Sequence, residues 1–65
     1  MSLYHVQFDR RDFWVEASHI NKVHGLWVLA MQAEFGAGED GYMGDEELDS
    51  VALVTIDAVI REAVR

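Results

Sequence analysis

Sixty-five residues, 51% apolar and 26% charged, predict one folded domain over 1–65, too hydrophobic to stay disordered. A chain this short buries only about 60% of the surface its unfolded form exposes, so the core is worth roughly 3–5 kcal/mol, and without cysteine no disulfide supplements it. Twelve acids against five bases give a net charge of −7, which excludes attraction to nucleic acid or to an anionic membrane surface. The cysteine-free composition suits a reducing cytoplasm. The longest apolar run, residues 26–31, is far short of the ~20 residues that cross a bilayer, and the N-terminus does not read as a signal segment.

The first elements are two strands. In residues 2–8, Tyr4, Val6 and Phe8 alternate with Leu3, His5 and Gln7. In residues 12–17, Phe13, Val15 and Ala17 stand opposite Trp14 and Glu16. The polar connection Asp9, Arg10, Arg11 and Asp12 has the length of an antiparallel hairpin, whose buried face is Tyr4, Val6, Phe8, Phe13, Val15 and Ala17. Next, Ile20, Val23, Trp27, Ala30 and Met31 recur at three- and four-residue steps, which predicts a helix over 18–35 with Ser18 as N-cap and Gly36 as C-terminal stop. Gly25 and the all-apolar run from 26 to 29 leave a strand over 26–31 as the alternative. A Gly-rich loop through Tyr42 and Met43 follows. From Gly44 onward acids come first and Arg61 and Arg65 last, the order that complements a helix macrodipole. With Leu48, Val51, Ala52, Ile56, Val59, Ile60 and Ala63 at helical spacing, this predicts a second helix of about 20 residues, against a strand favoured by its valine, isoleucine and threonine content. The expected fold class is α+β: an N-terminal β-hairpin with two helices packed on one face. A third strand or a second subunit would complete so thin a sheet.

The charge is unevenly placed. Residues 1–33 hold three acids against three bases, and residues 50–65 two against two. The whole imbalance lies in residues 34–49, where Glu34, Glu39, Asp40, Asp45, Glu46, Glu47 and Asp49 meet no lysine or arginine. Like charges so close repel and weaken a domain of small core, so the cluster reads either as a solubilising face or as a docking surface for something basic. Tyr42 and Met43 lie in its middle, and Trp14 points away from the hairpin core. Aromatic and methionine side chains beside charge are frequent interface anchors.

Catalytic and metal chemistry are not expected. The serines at 2, 18 and 50 have no histidine and aspartate pattern around them. His19 and His24 are five apart, about 140° around a helix, and share no face for a metal. An EF-hand alignment with Gly41 as sixth residue puts Asp40 fifth and Glu47 twelfth but glycines first and third, leaving at most weak divalent binding by Glu39, Asp40 and Asp45. No cofactor motif is present: the acids after Gly36-Ala37-Gly38 would repel phosphate.

In size, lack of cysteine and concentrated acid the chain resembles the small acidic anti-CRISPR proteins of phages and mobile elements. Phe13-Trp14-Val15-Glu16-Ala17 is similar to the strand exit of some inhibitors of type I surveillance complexes. The resemblance implies a cytoplasmic, non-enzymatic inhibitor acting in a bacterial host. Its acidic face would stand in for DNA phosphates in a lysine- and arginine-lined groove of a surveillance complex subunit, with carboxylates pairing to the basic groups that otherwise hold the duplex. The expected partner-binding residues are Glu34, Glu39, Asp40, Tyr42, Asp45, Glu46, Glu47 and Asp49. Two other readings remain. One is a phage or plasmid interaction module that dimerises through Leu26, Val28, Leu29 and Leu53; the other is a calcium-responsive small protein.

Overall fold

Alternation with period two builds the hairpin, and the computed structural model, which describes residues 1–55, places it as β1 (Ser2–Phe8) and β2 (Arg11–Ala17). The two strands pair antiparallel with Tyr4 opposite Val15 and Val6 opposite Phe13. The connection is tighter than the four polar residues suggest. Asp9 and Arg10 alone form the turn, at φ 51° and 64°, the doubly left-handed geometry whose twist matches that of the strands.

A 3-10 turn, Ile20–Lys22, leads into α1 (Val23–Phe35). The 26–31 segment is therefore helix. The expected start at Ser18 is corrected: His19 caps the 3-10 turn by accepting the Asn21 N–H at 3.1 Å, and Lys22 precedes α1 with no side-chain cap bond. Ile20 and Ala30, expected on the buried face, are exposed, and Val28 is buried in their place. Gly36 ends the helix as expected, at φ 97°, with its N–H returning to the Gln32 carbonyl at 2.9 Å.

The second helix is not seen where the structure can test it. Residues 44–49 form no helix, and β3 (Ser50–Leu53) joins the free edge of β1 antiparallel, with Val6 opposite Val51 and Tyr4 opposite Leu53. The expected helix beyond residue 55 lies outside the described residues. The physical reason for the correction is non-local. An open β1 edge carries unpaired N–H and C=O groups, and the short segment Ser50–Leu53 satisfies them in a way that a first helical turn does not.

The result is an α+β fold: a three-stranded antiparallel sheet in the order β2-β1-β3 with α1 on one face. The core joins Tyr4, Val6 and Ala17 of the sheet to Val23, Trp27, Val28 and Met31 of α1, with Phe8, Phe13, Val15 and Val51 packed around it. Trp27 is its centre, 4.8 Å from the Phe8 ring and 5.7 Å from that of Phe13. Its indole N–H is buried without a hydrogen-bond partner among the described residues, ringed by aromatic side chains. Among the described residues no helix is long and apolar enough to cross a membrane.

Candidate functional site

The acidic segment is shaped first by its glycines. After α1 the chain folds back on itself: Tyr42 N–H reaches the Gly36 carbonyl at 2.9 Å and Gly38 N–H the Tyr42 carbonyl at 3.2 Å. Gly41 is required by this closeness, since a Cβ there would sit 2.1 Å from the Gly36 oxygen.

Residues 42–49 then run alongside α1. Gln32 Nε2 donates to the Tyr42 carbonyl at 3.0 Å, Gly44 lies against Val28, and His24 Nε2 bonds to the Glu46 carbonyl. Helix positions thus step back by four as strap positions advance by two. Four helical residues cover about 6 Å and two extended ones about 6.6 Å, so the strap lies antiparallel to α1 nearly in step. The consequence is an alternation along the strap. Tyr42, Gly44, Glu46 and Leu48 are half-buried, whereas Met43, Asp45, Glu47 and Asp49 are exposed.

This alternation divides the expected site residues by role. Asp45 and Glu47 project outward, two residues apart. Glu46 turns inward: its carboxylate accepts the backbone N–H of Met43 at 2.8 Å and of Gly44 at 2.9 Å. Those bonds, Met43's first, hold its carboxyl below the usual 4.5. Asp49 ends the exposed row but spends one oxygen on the Asp9 N–H at 2.9 Å, tying the strap to the hairpin turn. Tyr42 belongs to the core margin, with its ring 5.5 Å from Trp27 and 6.2 Å from Phe35. Glu39 and Asp40 are exposed in the turn between Gly38 and Gly41. Glu34 is exposed in the last turn of α1, about 120° around the helix from Val28, so it does not share the strap's flank.

None of the carboxylates of Glu34, Glu39, Asp40, Asp45 and Glu47 has a hydrogen bond or ion pair among the described residues. His5 Nε2 bonds to Asp12 Oδ1 at 2.8 Å on the face of the sheet opposite α1. The same bond, helped by the Gln7 amide at 3.1 Å, lowers the Asp12 carboxyl below its usual 3.8. His5 also stacks on Trp14, centroids 5.2 Å apart, and Trp14 points outward as expected, 61% exposed. Among the described residues no three histidine, aspartate or glutamate side chains gather as metal donors.

Sequence reasoning missed Gln32, His24 and Asp9, the groups that fix the strap. The spacing of Gln32, Val28 and His24 by four was the available signal: it puts two polar side chains on one helix flank, a turn to either side of an apolar one. Comparison with protein-family models, curated proteins and solved structures finds no match.

Proposed function

We propose that the protein is a non-enzymatic inhibitor that docks a basic, DNA-binding surface of another protein through the outer edge of the 42–49 strap, and so blocks target DNA recognition. The observation that carries this reading is the outward pair Asp45 and Glu47, with Glu39 and Asp40 also exposed, in a stretch of seven acids without one lysine or arginine. On extended chain every second residue advances about 6.6 Å, comparable to the axial rise of two phosphates of one DNA strand at about 3.4 Å of helix axis each. Basic side chains arranged for a duplex backbone would meet them with charge-assisted bonds. The resemblance to anti-CRISPR proteins names the partner class: the lysine- and arginine-lined groove of a CRISPR surveillance complex, in the bacterial cytoplasm.

The inward turn of Glu46 and the Asp49 tie to Asp9 support a division of labour. These two carboxylates shape the strap, and Asp45 and Glu47 meet the partner. The test is displacement of fluorescent target duplex from a panel of type I surveillance complexes. The protein is expected to release the duplex from at least one complex in a dose-dependent way, and duplex retained by every complex at saturating protein overturns the reading.

A further inference from the structure

The face of the sheet opposite α1 holds a second arrangement of side chains. Outward positions of the three strands stand in register there, with Gln7 between Asp12 and Ser50 and His5 between Trp14 and Ala52. The first row is held by hydrogen bonds: Ser50 Oγ donates to Gln7 Oε1 at 2.9 Å, and Gln7 Nε2 donates to Asp12 Oδ1 at 3.1 Å. His5 bonds to the same Oδ1 and packs its ring against that of Trp14. The indole therefore rests on a side chain that is itself held, yet most of its surface is exposed.

The charge on this face decides what the indole can meet. Asp12, Trp14 and Glu16 follow one another at two-residue steps on β2 and all are exposed, which sets an acidic residue about 6.6 Å along the strand on either side of the ring. Both bonds to Asp12 fall on Oδ1, so its Oδ2 and the whole Glu16 carboxylate have no partner among the described residues. No lysine or arginine stands among the outward positions of the three strands. Phosphate and other anions are repelled by such a surface. A cation is drawn to it, because an indole face attracts an ammonium or guanidinium within about 6 Å of its centroid more strongly than any other aromatic side chain does. Guanidinium adds planarity and paired N–H groups that match a carboxylate.

We propose that this platform binds an arginine side chain of a partner protein, with the guanidinium stacked on Trp14 and bonded to the Glu16 carboxylate. Asp12 adds charge from the other side of the ring, and His5, Gln7 and Ser50 hold the platform in place. The site uses no residue of the 42–49 strap, so it stands or falls apart from the docking reading above.

Titration with N-acetyl-arginine amide at constant ionic strength, followed by proton–nitrogen NMR, tests this directly, since the indole signal of buried Trp27 serves as an internal control for that of Trp14. The Trp14 signal and the Glu16 amide are expected to move and to saturate in the millimolar range, as exposed contacts of this kind are weak, while the Trp27 signal stays in place. Uncharged N-acetyl-norleucine amide should move neither. Glu16→Gln should weaken binding about threefold, and with Trp14→Leu the Glu16 amide should no longer respond; both exposed positions should keep the wild-type circular dichroism spectrum. Arg61→Gln with Arg65→Gln should bind the probe as the wild type does. A Trp14 signal that stays still, or one that moves equally with the norleucine compound, overturns the proposal. So does a folded Glu16→Gln or Trp14→Leu variant that responds like wild type, or a chain that binds the probe only once Arg61 and Arg65 are replaced.

Discussion

Glu46 and Met43 are joined head to tail, with the Glu46 Oε2 accepting the Met43 backbone N–H at 2.8 Å while Oε1 takes the Gly44 N–H at 2.9 Å. One carboxylate therefore closes the bend by which the strap turns along α1. The bonds favour the ionised form, so the folded pKa lies below the ordinary 4.5. A carboxyl lowered by folding stabilises the fold fully above its unfolded pKa, and that contribution is lost as pH falls through the folded one. An NMR titration should show the Met43 and Gly44 amide shifts moving together, with a midpoint below 4.5. A midpoint at or above the ordinary value would mean the bond does not form. Glu46→Gln should abolish the step and loosen the strap at neutral pH, read as faster amide exchange at Gly44.

Gly41→Ala is expected to open the loop. Its new methyl would meet the Gly36 backbone oxygen, which cannot rotate aside as a flexible side chain can. Relieving such an overlap costs about 1–3 kcal/mol, a large share of what a domain of this size holds. Urea unfolding should show a lower midpoint, with the Tyr42 amide losing protection. Unchanged stability would place Gly36 and Gly41 further apart than described.

The Asp9–Arg10 turn is built from two residues that pay a steric cost for positive φ. Replacing them with Asn-Gly, the pair this turn type favours, keeps the Asp49-bound N–H at position 9 and relieves the strain. Stability should rise by about 1 kcal/mol, equivalent to roughly 4–8 °C in Tm for a domain of this length. A fall in Tm would contradict the turn geometry.

Local signals carried the hairpin and α1: the alternation of Tyr4, Val6 and Phe8 and the three- and four-residue spacing of Val23, Trp27 and Met31 each report the element that they form. β3 was misread because the segment from Gly44 to Arg65, with acids first and arginines last, mimics helix end charges, whereas the force that decided it, the unpaired edge of β1, lies more than forty residues away in the chain. The acidic character of 34–49 was plain in the composition. The split between structural and outward carboxylates was not, because it depends on where backbone N–H groups such as those of Met43 and Asp9 come to rest. Residue type alone assigns Glu46 and Glu47 alike, and only the strap's alternation against α1 separates them.

The most direct measurement is inhibition by paired charge-reversal variants, read as displacement of duplex from a surveillance complex that the wild type inhibits. Asp45→Lys with Glu47→Lys should weaken displacement at least about tenfold while leaving the circular dichroism spectrum intact, and the wild type should itself weaken as salt shortens the Debye length from about 8 Å toward about 3 Å. Lys22→Glu, outside the acid row, should inhibit as well as the wild type. A folded Asp45→Lys, Glu47→Lys variant that displaces the duplex with wild-type potency would contradict the claim that the outer edge of the strap makes the contact.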